Sequence, residues 1–484
     1  MGAGIPTLEG RAPGSQPVDP GPGPGACPGP PTQAGAALKL PRLLAQTVRH
    51  FFPHFNDWLQ ALPDARLQEA ITYPRHFLAW WGILLYLLQL GSRRSLDFDL
   101  SADSNALANL NRLAGTRLTT RPVHDTLDYY LGHSQPEGFA KVRRHMAGRL
   151  VRMKALDSAR LQGRLRLLVD GTGHLRFHKK HCDRCLVQRH QHTTVYLHQV
   201  LEAKVLGPVG LVLSVGSAFL ENANDPGPGA AEQRKQDCEL KAFDRLEKQL
   251  KRDFPQTRFC LSGDNEFACG RVLAVCQKNR WSYLLVFKPG RTPALYAEFQ
   301  ALLGACPGHR LERAADGVKR LYRWLEGLPY RDSAGRDWVF NALECQETVN
   351  GATTTFAWIT DLEVNAATVE ELAASGREHW CIENEGFNRQ KNSGLNLEHI
   401  YSTDPEKLKA YYYLLQIAHL LLQLLEKGSL LRQLAQEYAQ ETAAQLFGSL
   451  KHLAKRLLDG LRYGELPADP EAVGQIRFEP WNTS

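Results

Sequence analysis

The N-terminal part of the chain repeats apolar residues at helical spacing. Apolar positions recur every three to four residues through LPRLLAQTVRHFF, HFLAWWGILLYLLQL and NALANLNRLAG, which predicts several helices within residues 37–160. Residues 1–36 contain few large apolar side chains and many Gly and Pro, a composition typical of disorder. The most apolar run, Phe77–Leu90, is about 14 residues long, whereas a bilayer span needs roughly 20, so it predicts a buried helix and not a membrane anchor.

The pattern changes to strands at residue 164. RLRLLVDGTG predicts a buried strand that stops at Asp170, and two further strands follow, joined at Gly207-Pro208. After a predicted helix at 237–252, the run RFCLSGDNEFA predicts a strand ending at Asp264. CGRVLAVCQKN and WSYLLVFKPG then predict one more helix and one more strand. Hairpin-linked strands followed by helix-linked strands predict a mixed sheet with helices packed against it.

Residues 291–365 interrupt this alternation. They have the pattern of antiparallel strands, with turns at 332–335 and 350–351. A helix carrying Glu383 follows, and the chain ends in two long amphipathic helices, predicted at 405–427 and 429–462. We therefore predict a mixed α/β fold with six regions: a disordered tail at 1–36, an N-terminal helical region at 37–160, the first part of a core at 161–290, an inserted antiparallel β subdomain at 291–365, a helix of that core at 366–400 and a C-terminal helical region at 401–484.

Composition narrows the cellular setting. The 484 residues carry 58 Lys and Arg against 51 Asp and Glu, a net charge of +7. Local clusters of basic residues are compatible with an anionic partner, but solvated helix faces produce the same clusters more often. The ten cysteines lack the dense spacing of a secreted disulfide scaffold, which favours reduced thiols. No basic-then-apolar export signal opens the chain. We therefore expect a cytoplasmic protein with no membrane segment.

Two aspartates have the setting that phosphodiester chemistry requires. Breaking a phosphodiester bond demands an activated water, a stabilised pentavalent phosphate and a neutralised leaving oxygen, and two divalent ions held by carboxylates supply all three. Asp170 and Asp264 each follow an apolar run, where a carboxylate is costly unless it is paired or metal-bound. A single aspartate in this position is more often a turn or helix cap. Two in this order, followed by a glutamate on a helix, favour a metal site.

The third carboxylate is less clearly marked by its spacing. The segment REHWCIENEGFNRQKN contains Glu378, Glu383 and Glu385. Its buried face is predicted to carry Trp380, Ile382 and Phe387. Glu383 falls beside that face, whereas Glu385 is directed elsewhere. Spacing alone also permits all three glutamates to be solvated carboxylates of an exposed helix.

The three acidic segments read LLVDGTG, LSGDNEFA and WCIENEGFN, in this order along the predicted strands and helix. In this they resemble the DDE transposases of bacterial insertion sequences, over about residues 75–430, and Trp380–Glu383 matches the glutamate motif of that family. The resemblance implies an RNase H-like core in which Asp170, Asp264 and Glu383 hold Mg²⁺ or Mn²⁺. It implies cleavage of DNA at the ends of the element and strand transfer into target DNA, with a homodimer as the active complex.

The basic residues around the glutamate depart from the family's pattern. The family often places Arg four residues before the glutamate and Lys seven after it, and this chain has His379 and Gln390 there. Arg377 and Lys391 lie close by in sequence. Together with two lysines of a hairpin between the first strands, the candidate DNA contacts are Arg377, His379, Lys391, Lys179 and Lys180.

That hairpin contains a cysteine–histidine segment, HKKHCDRCLVQRHQH. The pair Cys182-x-x-Cys185 has the spacing of a zinc knuckle, and four histidines are near it: His178, His181, His190 and His192. We predict a structural Zn²⁺ held by Cys182, Cys185, His190 and His192. The alternative is a basic hairpin whose thiols and imidazoles are simply exposed. In either case its lysines are available to contact phosphates.

Two other classes of function remain open from the sequence. A catalytically silent DNA-binding regulator could use the same scaffold, although the complete acidic triad argues against it and Mg²⁺-dependent nicking would exclude it. A structure-specific nuclease that cuts DNA without joining it would share the acidic site. A strand-transfer assay with precut ends separates such a nuclease from a transposase.

Overall fold

One mixed β-sheet with helices on its flanks organises the chain. The computed structural model describes residues 33–101, 104–191, 193–222, 237–290, 292–469 and 473–478. The strands of the sheet are β1 (Leu165–Phe177), β2 (Leu186–Arg189), β3 (Thr194–Leu206), β4 (Val212–Leu220), β5 (Phe259–Gly263), β6 (Ser282–Val286), β7 (Arg310–Ala315), β8 (Val318–Arg331), β9 (Asp337–Val349) and β10 (Ala352–Thr360). Parallel and antiparallel pairs both occur in this ten-stranded sheet, so the predicted mixed α/β class is confirmed.

The helices fall before, between and after the strands. Those before the sheet are α1 (Gln33–Phe51), α2 (Phe55–Gln60), α3 (Arg75–Leu87), α4 (Arg93–Asp99), α5 (Ala106–Ala114), α6 (His124–Gly132) and α7 (Pro136–Arg152). Those between or directly after the strands are α8 (Glu239–Asp253), α9 (Gly270–Asn279), α10 (Pro293–Ala305), α11 (Val369–Arg377) and α12 (Arg389–Asn392). The C-terminal helices are α13 (Pro405–Lys427), α14 (Ser429–Glu437), α15 (Ala443–Phe447) and α16 (Leu450–Tyr463).

The first helix begins earlier than its predicted boundary. Helix α1 includes residues 33–36, which the composition assigned to a disordered tail, because α1 packs along α16 and gains its stability from that contact. Residues 1–32, which hold the rest of the predicted tail, lie outside the described residues.

Five strands form the centre of the sheet in the order β4-β3-β1-β5-β6. Strand β1 pairs antiparallel with β3 and parallel with β5, and β5 pairs parallel with β6. The short β2 and the longer β4 share the other edge of β3, β2 along its first residues and β4 along the rest. Antiparallel strands are thus followed by two parallel crossovers, through α8 and α9.

The inserted strands extend this sheet and do not form a separate one. Strand β10 pairs antiparallel with β6, with Trp358 opposite Val286, and β9, β8 and β7 continue the sheet outward. Both predicted turns are present: 332–335 joins β8 to β9, and Asn350-Gly351 joins β9 to β10 with positive φ angles of 50° and 81°. Helix α10, which the strand pattern did not predict, opens the insertion and packs on β8.

Strand β1 is longer than its apolar run. The prediction that it stops at Asp170 is wrong, because β3 pairs with it through Asp170↔Glu202 and onward to Phe177↔Tyr196. On the other side its parallel pairing with β5 ends at Leu168↔Ser262. Asp170 therefore lies within a paired strand, two residues past the point at which β5 turns away.

N-terminal and C-terminal helices pack together against the sheet. Helix α13 lies against α3 and α7 and is buried along most of its length, while α16 lies against α1. The single helix predicted at 429–462 is instead three helices, because Thr442 forms a capping box that starts α15 and Gly448, with a φ of 74°, ends it. The two helical regions thus share one apolar core.

No single helix among the described residues is long and apolar enough to cross a membrane. The bent pair α13 and α14, with 47° between them, meets the length and composition requirement jointly. Most of the apolar surface of α13 is buried inside the protein.

The tryptophans of α3 are predicted to be core residues, and the structure buries both, with 1% of each exposed. We expect Trp80→Ala to lower the free energy of unfolding by about 3–5 kcal/mol. Its ring packs edge-on against Phe55 with centroids 5.2 Å apart, and its Nε1 donates to Asn56 Oδ1 at 2.8 Å. Urea unfolding followed by circular dichroism measures the loss. Trp380→Ala, at a side chain 50% exposed, is the matched control and should cost less than about 1 kcal/mol; equal losses would contradict the assignment.

Candidate active site

Two of the predicted carboxylates lie at the same edge of the central strands. Asp264 follows β5 directly and caps a short 3₁₀ turn, its Oδ1 accepting a hydrogen bond from the Glu266 amide at 2.9 Å. Asp170 lies on β1, just beyond its last parallel pair with β5. Because β1 and β5 are adjacent and parallel, the carboxyl end of β5 brings Asp264 next to the part of β1 that holds Asp170.

Glu383 reaches this edge from a helix of unusual pitch. After α11 the chain makes a 3₁₀ turn at Glu378–Trp380 and then a π-helix at Ile382–Asn388. π-Helical turns are rare and are frequently found at functional sites. Ile382 and Phe387 are buried, as predicted, and they pack in a cluster with Leu168 of β1. By strand alternation Asp170 is on the same face of β1 as Leu168, so it faces the helix that carries Glu383.

The burial predicted for Trp380 is wrong. Its side chain is 50% exposed, whereas Ile382 and Phe387 are 0% and 3% exposed. The prediction assumed one α-helical period through the segment. The change from a 3₁₀ turn to a π-helix between Trp380 and Ile382 breaks that period, so the two residues do not share a face.

The other two glutamates of this segment are engaged elsewhere. Glu378 forms an ion pair with Arg166. Glu385 pairs with Arg389 at 3.0 Å and with Lys427 at 3.7 Å. Glu383 is exposed and, among the described residues, has no basic partner. Of the three glutamates it is the one whose charge acts on Asp170.

A fourth carboxylate, Glu239, was not among the predicted site residues. It is the first residue of α8, and its carboxylate lies so close to Gly171 that a Cβ atom there would overlap it. Glycine beside Asp170 is therefore required for this approach. Acidic residues are common in the first turn of a helix because they complement the helix dipole, so the sequence offered no signal that set Glu239 apart.

The four carboxylates share a site without a counter-charge. Burial raises the pKa of Asp170 to about 7, and the charges of Glu239, Asp264 and Glu383 act in the same direction, while the hydrogen bond from the Gly171 amide opposes them. Burial, followed by the charges of Asp264 and of Glu266, raises the pKa of Glu239. Within the described part of the chain no Lys or Arg pairs with any of the four. Such a set fits a divalent cation, which would supply the missing positive charge.

The carboxylates are nevertheless widely spaced. In the described ranges no three of them bring oxygens within 4.8 Å of one another. They therefore do not close on a single point.

Among the candidate DNA contacts, His379 is the one that lies beside an acidic residue of the site. Its Nδ1 is 3.3 Å from Ser262 Oγ on β5, and Asp264 is near enough for its charge to act on the imidazole. Burial lowers the pKa of His379, which keeps the ring neutral near pH 7.

Arg377 and Lys391 are held by acidic partners. Arg377 forms an ion pair with Glu347 on β9, and its guanidinium lies 4.0 Å from the ring centroid of Phe356 on β10. It is therefore bound to the inserted strands. Lys391 pairs with Glu398 at 3.1 Å.

Lys179 and Lys180 lie in the exposed loop after β1. Lys180 pairs with Asp183 at 2.7 Å. From Asp170 to the end of β1 the strand runs seven residues, roughly 23 Å at 3.3 Å per residue. The two lysines are thus far from the acidic site along the sheet.

The predicted cysteine pair meets a different pair of histidines from the expected one. His181, Cys182, Cys185 and His198 bring one ligand atom each within 4.8 Å of one another. His190 is exposed in the turn between β2 and β3, outside this group, and His192 lies outside the described residues. His198 was missed because it stands on β3, 13 residues beyond Cys185. Only the pairing of β2 with β3 brings them together.

Comparison with protein-family models and with curated proteins finds no match to this chain. The function is therefore inferred from the geometry and charge of the site.

The raised pKa of Asp170 predicts a pH-dependent stability in the absence of metal. The carboxyl is protonated in both states below about pH 4. As the pH rises towards 7 the unfolded chain releases this proton first, so ionisation opposes folding and stability falls across that window. In the presence of a metal chelator, the melting temperature of Asp170→Asn should exceed that of the unsubstituted protein at about pH 8. The difference in melting temperature should shrink towards about pH 5. Mg²⁺ should then raise the melting temperature of the unsubstituted protein alone.

Thermal melts of the two proteins across this range check the prediction. Glu385→Gln is the matched control, because Glu385 is on the same helix but is paired with Arg389 and Lys427. It should gain no stability at about pH 8. Parallel pH profiles for Asp170→Asn and the unsubstituted protein would show that Asp170 is not the strained carboxylate.

Proposed function

We propose that this chain is a DNA transposase of the DDE type, which cuts DNA at the ends of a mobile element and joins the freed 3′ ends to target DNA. The observation that carries the proposal is that the charges of Asp264, at the end of β5, and of Glu383 act on Asp170, in the neighbouring part of β1, and that none of the three has a basic partner among the described residues. An acidic site of this kind, on an RNase H-like sheet, supports metal-dependent chemistry on phosphodiesters.

The residues fit Mg²⁺ or Mn²⁺ as the metal. Asp170, Asp264 and Glu383 would hold it through carboxylate oxygens, the ligands that these hard cations prefer. When bound, such ions make an attacking water or 3′-OH more acidic and stabilise the charge on phosphate and leaving oxygen. The two aspartates are fixed by the paired backbone of β1 and by the cap after β5, so the metal-binding oxygens are positioned before DNA arrives.

His379 takes the position where the family often has an arginine. Ser262 holds its ring beside Asp264. A neutral imidazole donates one hydrogen bond to a phosphate but adds no lasting positive charge. The phosphate next to the site would therefore be held by the bound cations and by basic residues elsewhere. DNA binding should then depend less on His379.

The partners follow from the reaction. Strand cleavage followed by attack of the 3′-OH needs no covalent protein–DNA intermediate, so no Ser or Tyr nucleophile is required. Two ends must be handled, and each copy of the chain supplies one site, so a homodimer bound to transposon-end and target DNA belongs to the proposal. Helix α13 is buried inside the chain, and the dimer surface is therefore expected elsewhere.

Cleavage at the borders of the element tests the proposal. A supercoiled plasmid carrying the reading frame with its natural flanking DNA should be cut by the purified protein and Mg²⁺ at two reproducible positions that bound the frame. Asp170→Asn and Glu383→Gln should each reduce cutting by about 100-fold or more, because each loses a metal ligand. DNA binding, measured by gel shift, should change little.

Glu378→Gln and Glu385→Gln are the matched controls and should cut within a few-fold of the unsubstituted rate, since both carboxylates are paired with basic residues away from the site. Full cutting by Asp170→Asn would overturn the proposal. Cutting without strand transfer from precut ends would assign the chain to the nucleases, and DNA binding without any metal-dependent cutting would assign it to the regulators.

Glu239 gives a separate prediction. Because its carboxylate lies beside Gly171 and its charge acts on Asp170, Glu239→Gln should raise the Mg²⁺ concentration needed for half-maximal cutting by about 10–100-fold, while saturating Mg²⁺ restores much of the rate. A Mg²⁺ titration of the cutting rate measures this. An unchanged titration curve would show that Glu239 only caps α8.

A further inference from the structure

We propose that His181, Cys182, Cys185 and His198 bind one structural zinc ion that fastens the loop between β1 and β2 to strand β3. Two of these residues, His181 and His198, differ from the histidines that the sequence predicted. The inference stands apart from the proposed DNA chemistry, because the ion would be bound whether or not the acidic site cuts DNA.

The donor atoms have the spacing of a tetrahedral site. Cys182 Sγ lies 3.4 Å from Cys185 Sγ and 3.4 Å from His198 Nε2. His198 Nε2 is 3.6 Å from Cys185 Sγ and 3.3 Å from His181 Nε2. Zinc–sulfur bonds of about 2.3 Å and zinc–nitrogen bonds of about 2.0–2.1 Å, in a tetrahedron, place neighbouring donors roughly 3.3–3.8 Å apart. These four distances are compatible with one ion between the four side chains, which also bring one ligand atom each within 4.8 Å of one another.

The donor chemistry selects zinc over the cations of the acidic site. Two thiolates and two imidazoles suit a borderline-soft ion, whereas Mg²⁺ and Ca²⁺ take oxygen ligands. Binding releases the two thiol protons, and the two thiolate charges then balance the charge of the ion. A neutral site can be buried at low cost, and Cys185 and His198 are both buried, at 2% and 4% exposure.

A disulfide does not account for this cluster. Both cysteines are free thiols, and their sulfurs are 3.4 Å apart, well beyond a bond of about 2.05 Å. A disulfide would also leave unexplained why His198 on β3 points its Nε2 at both sulfurs, and why His181 in the loop has its Nδ1 3.3 Å from Cys185 Sγ.

The ion would close a loop that has no helix or strand of its own. Residues 178–185 link the end of β1 to the four-residue β2. Contacts around the cluster already converge on it: the ring of His181 lies 3.9 Å from that of Phe177, and Asn222 Nδ2 donates to the carbonyl of Cys185 at 2.8 Å. Arg184, between the two cysteines, forms an ion pair with Glu406 at the start of α13. The ion would thus fix the loop to β3, and the ion pair of Arg184 would connect the fixed loop to α13.

The loop fixed in this way carries exposed basic residues. Lys179 and Lys180 are exposed and immediately precede the ligand His181. Fixing His181 restricts the backbone on which both lysines stand. If the chain binds DNA as proposed above, the ion sets where this basic loop meets the phosphates.

Metal content of the full-length reduced protein tests the inference. We expect about one zinc ion per chain by elemental analysis after purification without chelator. Cys182→Ser and His198→Gln should each lose most of it. His190→Gln is the matched control, because His190 belongs to the same hairpin but is exposed and outside the cluster, and it should keep its zinc. Asp170→Asn should keep it as well.

A second measurement uses the unsubstituted protein, in case a variant fails to fold. Zinc should protect Cys182 and Cys185 from alkylation and the loop from trypsin at Lys179 and Lys180, and a chelator should remove both protections while leaving cleavage elsewhere unchanged. Replacement by Co²⁺ should give the visible absorption of a tetrahedral thiolate site. Less than about 0.2 equivalents of any transition metal in the reduced protein, or loss of zinc from His190→Gln with retention in His198→Gln, would overturn the inference.

Discussion

Strand β1 has two neighbours that leave it at different points, and the candidate sites depend on this difference. The parallel partner β5 departs after Leu168↔Ser262, so the sheet opens there and Asp170 has room beside it. The antiparallel partner β3 continues to Phe177↔Tyr196, which keeps the backbone of Asp170 paired and rigid and carries the strand out to the cysteine–histidine loop. One strand therefore holds an acidic site near its middle and a thiol–imidazole cluster beyond its end.

Repulsion between the carboxylates is balanced by the frame around them. Ile382 and Phe387 anchor the Glu383 helix on the apolar patch of Leu168, Leu206 and Val212. Beneath that helix lies Lys204, whose Nζ is 5.3 Å from the Phe387 ring centroid and donates to Gln416 of α13 at 3.3 Å. Burial lowers the pKa of Lys204 to about 8. Polar contacts between β3 and α13 thus support the helix that carries Glu383, and its apolar contact with Leu168 of β1 positions it relative to Asp170.

The two candidate sites differ in the hardness of their ligand atoms, and this difference would separate the metals proposed for them. Carboxylate oxygens at Asp170, Glu239, Asp264 and Glu383 suit hard, exchangeable cations that substrate phosphates help to hold. Two sulfurs and two nitrogens at the hairpin suit an ion that stays bound through many turnovers. Under the two proposals, the structural ion would stay out of the reaction and the acidic site would remain open to its own cation.

What the sequence determined by itself is local. Apolar runs that end in Asp-Gly and Asp-Asn located β1, β5 and their aspartates, and helical periodicity located α3, α5 and α13, because side-chain burial repeats with the geometry of each element. The turns at 332–335 and Asn350-Gly351 were also evident, since backbone conformation there is set by residue type.

Only the tertiary structure decided which residues meet. Glu383 is distinguished from Glu378 and Glu385 by ion pairs to residues that are distant in sequence, as Arg166 is for Glu378. Glu239 joins the site through a contact with Gly171, and His198 joins the cysteines through the register of β2 with β3. These meetings arise from strand pairing and helix packing between separate parts of the chain, for which the local pattern carries no signal. The sequence therefore supplied the carboxylates and thiols as candidates, and the packing of the sheet and its helices brought them together into candidate sites.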